Sequence, residues 1–358
     1  MNSHLSMDRY PEVRSFHSSD EEASFKALVN EAFLVPHFLD FFDDFPVWDP
    51  KLRVPGVERW GAFIQGKLIG CVSVRTAQLT LQPQIWTPVG ILGSVAVHPQ
   101  WRQRGLASLL VQKAVQWLRE QRVSVVLLWS SRHSLYERLG FQLAGEQLRA
   151  ALSQTNFLEE QGQVDTSGQV QTGWSPILFS HLMSRGSGLL IQSSDRIWLQ
   201  AHRNVQWYWI EDSISQEFAY AGVGRGIDLP GMVHEWGGCP RLLKRVLKKI
   251  MQEHPSAELL GNRELFQKFN LRFQTVVSEY LCMAQVIHPF SGFSETQSEE
   301  ENQTQESGLG YAFKGNSTED RDQLLRRWIR GLFQAPRAAE EVIVEQQVPL
   351  WIWGLDAA

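Results

Sequence analysis

The stretch Gly90–Ala107, GILGSVAVHPQWRQRGLA, constrains this chain more than any other. An apolar run ends at Pro99, a turn with Arg102 and Arg104 follows, and Gly105 opens an amphipathic segment. Proline cannot donate to a sheet ladder, so a strand Val95-Ala96-Val97 ending there leaves backbone groups for a ligand that pairs like an added strand. Gly105 lets the chain approach an anion closely, and the next helix aims its N–H groups and dipole at the same point. The layout is a phosphate cradle on an α/β frame.

The flanking sequence fits that frame. A strand is expected over Val13–His17, then a helix capped at Ser19 with Phe25, Leu28, Val29, Ala32 and Phe33 at helical spacing. A short aromatic helix over Pro36–Phe45 precedes three strands, Glu58–Gln65, Leu68–Leu81 and Trp86–Val97. Helix Gln103–Gln121, the fully apolar strand Val123–Trp129, a short helix Arg132–Leu139 and a strand from Phe141 complete a mixed α/β unit over residues 1–152. A polar connector, 153–176, leads to a second unit over 177–290. Its strands are expected at Ile197–His202, Trp207–Glu211, Phe218–Gly222, Gly231–Trp236, Glu258–Leu260 and Val276–Ile287, with helices at Pro240–Glu253 and Glu264–Phe269. Residues 291–320 read as an acidic mobile segment. Residues 321–358 read as a helix and a tail, VPLWIWGLDAA, apolar enough to pack.

Composition removes several function classes. A net charge of -5 gives no reason to expect nucleic acid as a partner. No run of about 18 apolar residues is present, so no membrane span is expected. The start lacks the apolar core of a signal peptide. Three scattered cysteines make neither a disulfide framework nor a metal site, which points to a reducing cytoplasmic setting and no metal.

The stretch resembles the acyl-coenzyme A signature of the GNAT superfamily of N-acetyltransferases. Their pyrophosphate loop, Arg/Gln-x-x-Gly-x-Gly/Ala, is matched by Arg102, Gly105 and Ala107. The resemblance implies that Val95, Ala96 and Val97 pair with the pantetheine arm. It also implies that the amides of Gln103, Arg104, Gly105, Leu106, Ala107 and Ser108 hold the diphosphate of acetyl-coenzyme A. Downstream, Tyr136-Glu137-Arg138-Leu139-Gly140-Phe141 fits the family's Tyr-x-x-x-Gly-Phe segment, whose Tyr protonates the departing thiolate. A phenol with an ordinary pKa of about 10 stays protonated at neutral pH and suits that task. Ser131, five residues before Tyr136, resembles the "enhanced intracellular survival" branch, in which Ser131 and Arg132 would touch the coenzyme.

That branch carries tandem GNAT-like domains, and the second unit reads as a worn copy of the first. Leu265–Leu271 aligns with Leu135–Phe141, with Phe266 in place of Tyr136 and Asn270 in place of Gly140. Trp236–Arg241 lacks the phosphate-loop form, and GVGRG at 222–226 reads as a strand-end turn. The expected fold is therefore α/β with a mixed sheet: two tandem GNAT-like domains, the second degenerate, and a C-terminal extension.

The implied activity is acetyl transfer to a primary amine of a small molecule, peptide or protein by direct attack. A non-catalytic coenzyme A-binding or scaffold protein is the alternative, and transfer to an alcohol or thiol also stays open. Direct attack needs a neutral amine and hence a base. Asp40, Asp43, Asp44, Glu58, His133 and the carboxylate of Ala358 are the candidates.

Overall fold

The computed structural model describes residues 10–82, 85–156 and 168–287. The first half runs β1 (Glu12–Ser15), α1 (Ser19–Ala32), α2 (Phe41–Asp44), β2 (Val57–Ile64), β3 (Lys67–Gln82), β4 (Ile85–Val97), α3 (Leu106–Glu120), β5 (Val125–Leu128), α4 (His133–Glu137) and β6 (Gln142–Ala151). The second continues with β7 (Thr155–Asn156), β8 (Gln171–Thr172), α5 (Pro176–Met183), α6 (Arg196–Leu199), β9 (Gln206–Asp212), β10 (Glu217–Val223) and β11 (Met232–Gly238). It ends with α7 (Pro240–Glu253), β12 (Glu258–Gly261), α8 (Arg263–Lys268), β13 (Arg272–Phe273) and β14 (Val277–Val286).

Both halves share one twelve-stranded sheet in the order β1-β2-β3-β4-β5-β14-β6-β12-β11-β10-β9-β8. The middle of that order is an exchange. Strand β14 of the second half pairs with β5 of the first, and β6 of the first pairs with β12 of the second. The two exchanged strands also pair with each other, from Val277↔Arg149 to Ala284↔Gln142. Each half repeats one device, a parallel pair joined by a helix: β4–β5 through α3, and β11–β12 through α7. Strand β5, buried at all four positions, needs the continuous apolar run it has.

Helix α3 buries Leu106, Leu110, Val111, Ala114, Val115 and Leu118 on one face of the sheet, and α1 buries Phe25, Leu28 and Val29 on the other. In the second half α7 buries Leu242, Leu243, Val246, Leu247 and Ile250. Full burial of each Leu, Val, Ile or Phe among them contributes roughly 1.5–3 kcal/mol.

Three expectations change. Of the helix expected over Pro36–Phe45 only Phe41–Asp44 is helical, because the Asp40 carboxylate accepts from the Phe42 N–H and caps it there. Ile197–His202 is not a strand: residues 196–199 form α6. The Asp195 carboxylate accepts from the Gln192 N–H and the Trp198 indole N–H, both at 2.9 Å, and winds the chain there. Helix α5 follows directly on the connector, in a stretch where no element was expected; the Ser175 hydroxyl accepts from the Ile177 N–H and Pro176 sits in the first turn. The acidic segment 291–320 and the helix and tail of 321–358 lie outside the described residues.

Candidate active site

The site begins with a bulge. Cys71 pairs with Ala96 and Ser73 with Gly93, so Ser94 and Val95 together oppose the single residue Val72. Ser94 takes a left-handed φ of 51° to make this possible. Strand β4 turns away from β5 as a result: the two pair only at Val89↔Val125, Gly90↔Val126 and Ile91↔Leu127. The sheet is therefore split beside Val95–Val97. The opening begins past Ile91 and contains the bulge at Ser94 and Val95, upstream of Pro99, where the strand was expected to splay.

The basic turn closes one end of the split. Pro99–Trp101 forms a single helical turn, Gln103 has a φ of 61° and Gly105 one of 77°. A Cβ on Gly105 would meet nothing within 4 Å, so glycine is needed there for its backbone, not for space. Helix α3 starts at Leu106, and the N–H groups of its first turn have no partners within the helix. Arg102 donates from Nε to the Val97 carbonyl at 3.1 Å, tying the turn to the strand end. The Arg104 guanidinium stacks on the Trp101 ring at 4.8 Å and does not line the cleft.

Tyr136 closes the other end, on α4 after β5. Its ring is 6% exposed and meets Phe141 edge to face at 5.9 Å. Burial pushes the phenol above its ordinary pKa, a hydrogen bond with Ser130 opposing, so it stays protonated at neutral pH. Gly140, with φ of 90°, makes the turn into β6.

A cavity of about 1560 Å³ joins these parts. Val95, Ala96, Val97, Arg102, Gln103, Gly105, Leu106, Ala107, Ser108, Ser131, Arg132 and Tyr136 all line it. So do residues that the motifs did not single out: Ser94, Ser130 and Arg138 nearby, and Arg225, Ile227, Asp228, Leu229, His234, Leu260 and Leu281 from the second half. No local motif marks the latter group; only the strand exchange brings them in. None of Asp40, Asp43, Asp44, Glu58 and His133 lines the cavity, and Ala358 lies outside the described residues. Asp40 caps α2 through the Phe42 N–H, and Glu58 and His133 are exposed. Asp44 is a clasp between the halves, accepting from Asn204 at 2.5 Å and from the Ile227 N–H at 3.1 Å.

The corresponding place in the second half is filled. Strands β11 and β12 pair only at Met232↔Glu258 and Val233↔Leu259. Beyond them the fully buried Trp236 donates its indole N–H to the Leu260 carbonyl at 2.7 Å. Phe269 meets it edge-on at 5.2 Å, and Phe266 stacks on it at 6.2 Å. Asn270 takes a left-handed φ of 51° where Gly140 in the first half has one of 90°. The 222–226 stretch is a turn at the end of β10, as its sequence suggested. Among the described residues no group of three or more His, Cys, Asp or Glu side chains is arranged to hold a metal.

Residues 12–144 match the family model of the acetyltransferase (GNAT) domain. A probable N-acyltransferase from Enterococcus faecalis V583 shares the fold with a TM-score of 0.56 at 14% identity, over 78% of this chain and 72% of its own. A GCN5-related N-acetyltransferase from Kribbella flavida has a TM-score of 0.54 at 16% identity, over 77% and 71%. Eis1 from Mycobacterium abscessus has a TM-score of 0.51 at 15% identity, over 77% and 73%. These likenesses extend well past residue 144 into the second half. No curated protein matches the chain in sequence.

Proposed function

Because residues 12–144 match the family model of the acetyltransferase (GNAT) domain, we propose that this protein moves an acetyl group from acetyl-coenzyme A to a primary amine by direct attack. The observation that carries the reading is the split in the sheet. It leaves one edge of Val95–Val97 facing the cavity that also holds the N-terminus of α3 and Tyr136.

The residues divide the work by their chemistry. The open edge of Val95–Val97, its Val97 carbonyl already held by Arg102, receives the pantetheine amides, and the loop amides from Gln103 to Ser108 receive the diphosphate. Arg102 and Arg132 add positive charge at that end. The amine nitrogen attacks the thioester carbon, and a free amide of the 95–97 strand steadies the oxyanion. As the C–S bond breaks, the Tyr136 hydroxyl gives its proton to the thiolate, and the proton shed by the amine, relayed through solvent, reprotonates the Tyr136 phenolate. The three cysteines are free thiols, which suits a cytoplasmic enzyme. We assign the coenzyme site to a domain of residues 1–152 and a supporting role to residues 177–290.

Calorimetry with acetyl-coenzyme A, followed by a free-thiol release assay across primary amines, tests this reading. Coenzyme binding with thiol release that collapses in Tyr136→Phe supports it. Binding without any release, unaltered by that substitution, marks a coenzyme A-binding protein without catalysis.

A further inference from the structure

The cavity has two sides with different chemistry. Toward α3 it is lined by the basic turn and the first helical amides; toward the second half its walls are aromatic and aliphatic, among them Phe41, Phe45, Ile227 and Leu229. Phe41 and Phe45 stack at 4.5 Å, and the Arg225 guanidinium lies 4.5 Å over Phe45 while pairing with Asp228.

One side chain on this second side lacks a partner it could have. His234, on β11, lines the cavity and is 0% exposed. Its Nε2 lies 2.8 Å from the Gly224 carbonyl oxygen. A carbonyl only accepts, so Nε2 carries the proton and Nδ1 keeps a bare lone pair. That Nδ1 is buried and makes no hydrogen bond. An unmet buried acceptor is costly, and the few found in native proteins call for an explanation. Burial and the neighbouring Arg225 charge hold the ring neutral, lowering its pKa to about 4. The lone pair is thus present throughout the neutral range.

We propose that the acceptor is a primary amine carried on an apolar body, bound against Phe41, Phe45, Ile227 and Leu229, with its N–H donated to His234 Nδ1. This rests on the reading of the cavity as an acetyl-coenzyme A site and adds the class of acceptor. The filled second half then has a task in the reaction, because it supplies the acceptor wall of the first half's cavity. A polycationic acceptor suits the site poorly: Asp228 already pairs with Arg225, and the guanidinium repels further positive charge.

The test uses two synthetic conjugates in which the coenzyme A sulfur is joined through –CH2–C(O)–NH– to a phenethyl group or to spermidine. Their dissociation constants, and that of coenzyme A, are measured by calorimetry with the full chain. The phenethyl conjugate is expected to bind about tenfold or more tighter than coenzyme A and than the spermidine conjugate. His234→Gln keeps an N–H for Gly224 but loses the acceptor at Nδ1; it should weaken the phenethyl conjugate about tenfold and leave coenzyme A unchanged. His234→Asn restores a carbonyl oxygen near Nδ1 and should recover part of the loss. Overturning results are a phenethyl conjugate no tighter than coenzyme A, a tighter spermidine conjugate, or equal behaviour of the Gln and Asn variants. Failure of all three ligands to bind sinks the coenzyme reading itself and is told apart by coenzyme A alone.

Discussion

Gly93 gives up its side chain to Trp48: a Cβ on Gly93 would overlap the indole ring, which is itself fully buried. Trp48 thereby plugs β4 from below, one residue before the left-handed Ser94 of the bulge within the split. Gly93→Ala should cost about 1–3 kcal/mol through overpacking. By shifting the bulge it should also raise the acetyl-coenzyme A dissociation constant. Urea unfolding and calorimetry read the two effects; a destabilised variant with unchanged affinity would separate the plug from the site.

At Gly105 the strain argument can be isolated. A Cβ meets nothing there, so Gly105→Ala pays only for a φ of 77°. The cost is about 1–2 kcal/mol if the turn holds. The variant should bind coenzyme A more weakly, and Gly105→Asn, which tolerates this conformation better, should do so less. Equal affinities for the glycine and alanine proteins would remove the turn from the coenzyme site.

Tyr136→Phe keeps the ring that meets Phe141 and deletes one hydroxyl. Thiol release should fall about 10²–10⁴-fold, the usual range for a lost general acid. Coenzyme affinity and thermal stability should stay close to those of the parent. A rate within a few-fold of the parent would mean that another group or water protonates the thiolate.

The halves are locked by a buried ion pair as well as by shared strands. Arg75 on β3 donates to Asp195 in the second half at 2.7 Å, and both side chains are under a tenth exposed. The carboxylate also takes the Trp198 and Gln192 donors. Asp195→Ala removes the carboxylate that pairs with the buried Arg75 and should cost about 3–5 kcal/mol. Chemical denaturation should still show one transition, because β6 and β14 remain exchanged.

Acid should weaken the fold before its salt bridges titrate. The His234 pKa falls to about 4 in the folded protein, below the ordinary histidine value of about 6.5. Between those values the unfolded chain binds more protons, so stability falls as pH drops, by roughly 3 kcal/mol over the window. His202, held well below the ordinary histidine range by burial and then by the Arg225 charge, acts in the same direction. Asp44, raised by burial, opposes them. Glu21 beside Arg14 and Asp212 beside Arg241 lie at about 2, so what they contribute is lost only at lower pH. Melting temperatures from pH 7 to 4.5 should fall less steeply in His234→Gln than in the parent; parallel curves would exonerate this histidine.

The elements of the first half were legible because their signals are local. A left-handed glycine before an amphipathic helix, an apolar β5 and a Tyr-x-x-x-Gly-Phe turn each fit within some fifteen residues, where periodicity and turn chemistry act. The worn copy was legible for the same reason, down to Asn270 at the left-handed position of Gly140. Strand expectation failed at Ile197–His202, where Asp195 recruits two donors that no propensity encodes.

Sequence alone determined the Arg-x-x-Gly-x-Ala turn, the tyrosine at position 136 and the absence of both from the second half, since each depends on residue identity at short range. Tertiary structure decided where the sheet splits, because the bulge at Ser94 depends on what Val72 and Trp48 do across the strands. It also decided that β6 and β14 change places. That exchange, a matter of long-range pairing and burial, brings His234 and Arg225 to the cavity of a half to which they do not belong by sequence.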